Sequence, residues 1–160
     1  MSGGSRGRDG ETDTLLRLLR ESETIAVVGA SPDPFRASHY VMAYLQSKGY
    51  RTIPVNPRAA GLEINGEKVY SRLADVPAPV DLVDVFRKSS VASDVVYEAI
   101  AEQKRLGIRS IWMQLGVRND AAARRAEAAG IAVVMDRCPK IEYPRLFGAA
   151  HRSAIAGVQS

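Results

Sequence analysis

The sequence of 160 residues is poor in cysteine, in aromatic residues and in long apolar runs. The only cysteine, Cys138, excludes an internal disulfide and favours a reducing compartment, so we expect a cytoplasmic protein. No apolar run approaches the roughly 20 residues that span a membrane. The start, MSGGSRGRDGE, also lacks the apolar segment of a signal peptide. We therefore expect neither a membrane-spanning segment nor a membrane partner.

The chain also lacks a concentration of charge of one sign. It has 22 basic and 18 acidic residues, which gives a formal net charge of +4. A small positive excess is compatible with a polyanionic ligand, but the basic residues are scattered, which argues against a nucleic-acid partner. Hydrophobic residues make up 46% of the chain, enough for the core of one globular domain.

Five short apolar runs predict a buried parallel sheet. They are rich in Val and Ile and nearly continuous, as in strands covered on both faces. Helical segments lie between most of them, so the pattern predicts an α/β fold: a Rossmann-like, doubly wound, mostly parallel sheet of about five to six strands with helices on both faces. A barrel would need far more chain. The predicted strands are Ile25–Val28, Thr52–Val55, Val80–Phe86, Ser110–Met113 and Ile131–Met135.

Capping residues and glycines mark three helices between these strands. We expect the helices to start at Ser38, at Ser89 or Ser90, and at Asn119. Each ends at a glycine, the residue best able to take a left-handed turn; these are Gly49, Gly107 and Gly130. Weaker patterns predict a helix around Leu15–Leu19, a short strand near Lys68–Tyr70 and a short helix near Ser71–Asp75.

The domain organisation predicted from these patterns is simple. Residues 13–148 form a single ligand-binding domain. Residues 1–12 form a flexible N-terminal tail, and residues 149–160, which show no clear period, form a loose C-terminal tail. The sequence leaves open a homo-oligomer or an unknown protein partner.

The loop after the first strand departs from the dinucleotide fingerprint. The stretch IAVVGASPDPFRAS keeps one glycine, Gly29, where G-x-G-x-x-G would need three. Ligands of doubly wound sheets bind beyond the carboxyl ends of the strands, where this loop would meet Arg87. A helix start near Ser38, with Arg36 beside it, suits a phosphate. Each residue alone is better explained as a turn, a cap or a solvated charge, but their convergence on one edge of the sheet predicts a phosphate-bearing ligand.

The end of the second strand lacks the acid that holds the ribose hydroxyls of NAD. The strand runs into Asn56, Pro57 and Arg58 instead of a carboxylate. Arg58 could pair with a phosphate on a ribose. NADP or coenzyme A therefore fits this loop better than NAD.

A set of motifs resembles the small CoA-binding proteins, a family similar to the CoA-binding domain of the succinyl-CoA synthetase α subunit. The similarity runs from about Thr24 to Glu142. No single motif is specific, but the order and spacing of the set are. The motifs are VVGAS (27–31), RAS (36–38), GYRTIPVNP (49–57), ING (64–66), PVDLVDVFR (79–87), WMQLGV (112–117) and VVMDRC (133–138).

The resemblance implies a Rossmann-like domain that binds coenzyme A, free or acylated, and it implies positions for the site. Phosphates would lie at residues 29–31 and 36–38, the nucleotide beside 56–57, and the pantetheine arm near 114–117. Phe86 could equally be a core residue. The candidate ligand-binding residues are Gly29, Ala30, Ser31, Arg36, Ser38, Asn56, Pro57, Arg58, Phe86, Arg87, Gln114, Gly116 and Val117.

No catalytic or metal-binding constellation stands out in the sequence. The two histidines, His39 and His151, are not spaced with a nucleophile, and no P-loop is present. We therefore expect a CoA-binding protein without catalysis of its own. The alternatives are a small NADP-dependent or acyl-CoA-transferring enzyme and an interaction protein with a vestigial pocket.

Cys138 carries one further hypothesis. It follows the final predicted strand, so it should emerge at the edge where the ligand would lie, near the cations Arg137 and Lys140. Oxidation could then join its sulfur to the thiol of CoA as a mixed disulfide. The simpler alternative is a small buried hydrophobic residue.

Overall fold

The structure, a computed structural model, describes residues 3–156 and their side chains from residue 10 onward. Strands and helices alternate along the chain. Two single-turn 3₁₀ helices, Pro57–Ala59 and Leu73–Asp75, interrupt one long connection. In chain order the other elements are α1 (Gly3–Glu21), β1 (Thr24–Val28), α2 (Ala37–Ser47), β2 (Arg51–Val55), β3 (Glu63–Ile64), β4 (Glu67–Lys68), β5 (Leu82–Val85), α3 (Ser89–Leu106), β6 (Ser110–Met113), α4 (Asp120–Ala128), β7 (Ala132–Val134), α5 (Pro139–Phe147) and α6 (Arg152–Ile155).

The main sheet has five parallel strands in the order β2-β1-β5-β6-β7. After β1 the chain forms β2, which pairs with β1 at one edge of the sheet. It then crosses over, and β5 pairs with the other side of β1. This reversal opens a crevice beyond the carboxyl ends of β1 and β5, the usual place for a ligand in such sheets. The predicted doubly wound α/β fold is confirmed, and all five predicted strands are present.

Helices cover both faces of the sheet, which explains why the strand sequences are nearly continuous apolar runs. One core lies between the sheet and the α3–α4 layer, and it includes Val83, Val96 and Ala126. The other lies under α1, α2 and α5, and it includes Leu82, Met42 and Tyr143. The three central strands, β1, β5 and β6, are buried at every residue because helices lie above and below them.

The helix ends follow the prediction in part. Asn119 caps α4, since its side-chain oxygen accepts a hydrogen bond from the Ala122 N–H at 3.0 Å. Gly107 ends α3 in the left-handed conformation, with φ at 85°. Ser38, however, does not cap α2: the helix begins one residue earlier, and the N-cap position belongs to Arg36. The Ser38 hydroxyl instead binds the loop before the helix.

The long connection between β2 and β5 contains a small hairpin of its own. Strands β3 and β4 pair antiparallel, and Tyr70 bridges to Val55 at the edge of the main sheet. The predicted strand near Lys68–Tyr70 therefore ends in this bridge. The predicted short helix is present as the second 3₁₀ turn, Leu73–Asp75.

The N-terminal segment differs from the predicted tail. Helix α1 begins at Gly3, so it takes in most of the residues that the sequence assigned to a flexible tail. The Glu11 carboxylate accepts a hydrogen bond from Arg137 Nε at 2.9 Å, which fixes this part of the helix beside β7. Glycines weaken the helical signal of the first ten residues, and the tertiary contact is invisible in the sequence.

The C-terminal segment also differs from the predicted loose tail over residues 149–156. Arg152 donates from Nε to the Ser22 carbonyl at 2.9 Å and pairs with Glu23 at 3.0 Å, and Ile155 is buried. The His151 ring packs so closely on Gly49 that a Cβ there would overlap it. These contacts fix the segment on the amino-end side of the sheet, away from the crevice. The remainder of the predicted tail, residues 157–160, lies outside the described residues.

No helix in the described part of the chain is both long and apolar enough to cross a membrane.

Candidate functional site

An open cleft of about 800 Å³ lies at the reversal point of the sheet. Its walls come from the loops after β1, β2 and β5 and from the first turns of α2 and α3. Because parallel strands end at the same edge, segments far apart in sequence meet here. The lining residues are Gly29, Ser31, Pro32, Arg36, Ala37, Ser38, Asn56, Arg58, Ala59, Leu62, Phe86, Arg87, Lys88 and Val91.

Gly29 allows the loops after β1 and β5 to approach each other. Its φ is 94°, in the region that glycine favours, and a Cβ would overlap the Phe86 carbonyl oxygen and press on the Arg87 side chain. The Gly29 N–H donates to the Val55 carbonyl at 2.8 Å, which binds the same turn to β2. The single glycine retained in this loop is therefore needed for the shape of the cleft floor.

Asn56 joins the loop after β2 to the loop after β1. Its Nδ2 donates to the Ala30 carbonyl at 2.7 Å, and its Oδ1 accepts from the Arg58 N–H at 3.0 Å. Both ends of the side-chain amide are thus used within the protein. Asn56 lines the cleft, as predicted, but its described contacts fix the positions of two loops.

The start of α2 opens into the cleft without a side-chain cap. The first N–H groups of a helix have no partner within it, and together with the helix dipole they favour an anion. Ser38 lies in this first turn, buried, and its Oγ accepts from the Ser31 N–H at 3.0 Å. That hydroxyl orders the loop and keeps its proton available for a further acceptor.

The cleft is lined by four cationic side chains and by no acidic one. Arg36 stands at the start of α2, Arg58 follows β2, and Arg87 and Lys88 follow β5. Across residues 10–156, none of the four forms a salt bridge, although other arginines of the chain form several. Four cations around one cleft, without a carboxylate in its lining to neutralise them, give the cleft a positive potential that favours a ligand with several negative charges.

The structure brings together one part of the predicted site and separates the other. The predicted residues Gly29, Ser31, Arg36, Ser38, Asn56, Arg58, Phe86 and Arg87 line the cleft, while Ala30, Pro57, Gln114, Gly116 and Val117 do not. Ala30, Gln114 and Val117 are buried. Gly116 lies in the neighbouring loop, where its carbonyl accepts from the Ser89 hydroxyl at 3.3 Å.

Several lining residues were missing from the predicted site. Lys88 extends the basic pair that begins at Arg87, so its neighbour gave a signal that could have found it. Leu62 and Val91 had no such signal, because Leu62 lies in an irregular connection and Val91 is an apolar residue in the first turn of α3. The other lining residues outside the predicted set are Pro32, Ala37 and Ala59.

A buried carboxyl group lies in the central strand near this site. Asp84 is fully buried, and neither of its carboxylate oxygens has a hydrogen-bond partner among the described residues. It pairs in register with Val27 and Trp112 and shares their face of the sheet. Burial raises the pKa of Asp84 well above its usual value, because the charged form would lose its hydration without compensation.

Cys138 is buried and does not line the cleft. It stands at the N-cap of α5 and packs in the core under α1, α2 and α5. This position favours the packing alternative over the mixed disulfide. No group of three or more potential metal ligands is assembled within the described residues.

Comparison with known proteins places the chain among CoA-binding domains. The family model for the CoA binding domain matches residues 23–144. The uncharacterized protein YneT of Bacillus subtilis is 36% identical over 129 residues, which cover 81% of this chain and 91% of YneT. A solved structure from Thermus thermophilus is 43% identical, with a TM-score of 0.79, and the match covers 85% of this chain and 98% of that one.

A more distant relative has a named reaction. The α subunit of an ADP-forming acetate–CoA ligase of Pyrococcus furiosus is 31% identical over 87 residues. The match covers 52% of this chain but 19% of that subunit.

Proposed function

The chain belongs to the CoA binding domain family, and from this membership we propose that it binds coenzyme A, free or as an acyl thioester, in the cleft between β1, β2 and β5. The binding serves a carrier or sensor role without catalysis by this chain. We also propose a cytoplasmic location, in keeping with a lone cysteine that forms no disulfide.

The observation that carries this proposal is the set of unpaired cations. Coenzyme A has a pyrophosphate and a ribose 3′-phosphate, and the cleft offers Arg36, Arg58, Arg87 and Lys88 without a competing acid. The open start of α2 adds backbone N–H donors for one phosphate. Arg58, which follows the second strand where NAD-binding folds carry an acid, suits the ribose phosphate.

The composition of the cleft walls supports binding rather than catalysis. Apart from its four cations, the cleft offers the hydroxyls of Ser31 and Ser38 and the Asn56 amide, but no carboxylate, imidazole or thiol that could serve as a general base. The similarity to the ligase α subunit favours a second candidate, in which the chain supplies the CoA site to a partner that performs acyl transfer.

Calorimetry with the purified protein tests the ligand. We expect CoA to bind well ahead of dephospho-CoA and NAD, because only CoA presents a phosphate on the ribose. NADP is included to test the alternative of a small NADP-dependent enzyme, because its ribose 2′-phosphate could also pair with Arg58. Equal affinity for CoA and NAD would contradict the proposal.

Alanine variants test the cations. Arg36→Ala and Arg87→Ala each remove a charge-assisted contact worth roughly 1.5–3 kcal/mol, so CoA affinity should fall about ten- to a hundredfold. Arg118→Ala is the matched control: it removes the same charge from an exposed side chain that pairs with Asp120 outside the cleft. Thermal unfolding should be little changed in all three. Unchanged affinity in both cleft variants would show that these arginines are only solvated.

A further inference from the structure

Phe35 is the most exposed large hydrophobic side chain of the described residues. It is 91% exposed, although phenylalanine is among the residues most often buried. It lies in the loop after β1, between the cleft-lining residues Pro32 and Arg36. A single exposed apolar side chain needs no explanation of its own, but Phe35 directly precedes the lining residue Arg36 in a loop that forms one wall of the cleft.

The backbone under Phe35 is held by a chain of short-range hydrogen bonds. The Asp33 N–H donates to Ser31 Oγ at 3.1 Å, and the Phe35 N–H donates to Asp33 Oδ1 at 3.0 Å. The Arg36 N–H then donates to the Asp33 carbonyl at 3.0 Å. The ring is therefore presented to solvent by a bonded loop, next to a cation of the cleft.

A second exposed apolar side chain belongs to the same side of the cleft. Leu62 is 55% exposed and lines the cleft after the 3₁₀ turn that follows β2. Asn56 bonds the loop after β2 to the loop after β1, so both apolar residues belong to the β2 side. Arg87 and Lys88 stand on the β5 side. Arg36 and Arg58 belong to the β2 side as well, so the two apolar side chains stand beside one pair of cations and across the cleft from the other pair.

We infer that Phe35 stacks on the planar base of the bound nucleotide and that Leu62 supports the base from the β2 side. This inference rests on the proposed function. A ligand with an aromatic ring and phosphates beside it matches this arrangement, because the ring takes the apolar side chains and the phosphates take the cations next to them. The pantetheine arm is a poorer partner for these apolar side chains, since it is flexible and carries two amides, whereas a base offers a flat apolar face.

The experiment compares Phe35→Ala with wild-type protein on three ligands: CoA, adenosine 3′,5′-bisphosphate and 4′-phosphopantetheine. Loss of stacking on one base should weaken CoA and adenosine 3′,5′-bisphosphate by about 5- to 150-fold. Binding of 4′-phosphopantetheine, which has no base, should be unchanged. Phe35→Trp should bind CoA and adenosine 3′,5′-bisphosphate about as tightly as wild type does, because any aromatic ring can stack on the base.

The control is Tyr97→Ala, which removes an aromatic ring that is 44% exposed on α3 and lies outside the cleft lining. It should leave all three affinities unchanged. If Phe35→Ala binds CoA as wild type does, or loses 4′-phosphopantetheine to the same extent as CoA, the stacking inference is wrong while the proposed function stands. Wild-type protein that binds none of the three ligands would overturn both.

Discussion

Asp84 should make the stability of the fold depend on pH in an unusual direction. Its carboxyl group is fully buried in β5 without a hydrogen-bond partner, and burial raises its pKa well above 3.8. The folded chain therefore keeps a proton that the unfolded chain has released. The contribution of Asp84 to the free energy of unfolding is therefore fully present below the unfolded pKa and is lost as the pH rises toward the folded pKa.

The magnitude follows from one proton. While Asp84 is ionised in the unfolded chain and protonated in the folded chain, the free energy of unfolding falls by about 1.4 kcal/mol for each pH unit. Two pH units between the unfolded and the folded pKa therefore remove about 2.7 kcal/mol. That amount is a large fraction of the stability of an ordinary domain, about 5–15 kcal/mol.

Asp84→Asn tests this reasoning because asparagine has nearly the same shape and does not titrate. Urea unfolding of both proteins at several pH values gives the free energy of unfolding of each, and the difference between them cancels the other titrating groups. We expect the free energy of unfolding of the variant to rise relative to that of wild type as the pH rises. A difference that stays constant as the pH rises from 3.8, the ordinary pKa of the group, would refute the claim that burial raises the pKa of Asp84.

Two further predictions concern the floor of the cleft and the cysteine. Gly29→Ala should lower the free energy of unfolding by more than about 1 kcal/mol and weaken CoA binding, because the added Cβ would overlap the Phe86 carbonyl and the φ of residue 29 suits glycine. Thermal unfolding measures the first effect and calorimetry the second. A stable variant with full CoA affinity would contradict the role assigned to Gly29. Cys138 should resist alkylation in the folded protein and gain no adduct of CoA mass under diamide, because its thiol is buried; rapid labelling or a reducible adduct in intact-mass measurements would restore the redox hypothesis.

The fold could be predicted largely from local patterns. Strands such as Ser110–Met113 and helix ends such as Gly107 can be recognised from a few consecutive residues. The order of strands and helices along the chain then restricts the topology. Contacts between distant segments have no such signal. Two such contacts are the hydrogen bond from Arg152 to the Ser22 carbonyl, which holds residues 149–156, and the one from Arg137 to Glu11, which holds the part of α1 before its buried leucines.

The site could be predicted only where strand order decides position. Arg36, Arg58 and Arg87 follow strands that end at one edge, so the sequence brought them together correctly. Gln114 follows a strand of the same edge, yet its side chain is buried, and the direction of a side chain after a strand end cannot be read from spacing. That Asp84 lacks a hydrogen-bond partner among the described residues could likewise not be predicted, since the position of an acid within an apolar strand does not show which groups surround its carboxylate.

The unpaired cations of the cleft act before any contact is made. Surface charges of one sign in a concave site raise the local concentration of anions and speed their association, and this attraction reaches about 8 Å at physiological ionic strength. Any phosphorylated metabolite is attracted in the same way, so encounter alone cannot select coenzyme A. Selection would then appear in the residence time of each ligand, and raising the salt concentration should slow its capture more than it changes its release.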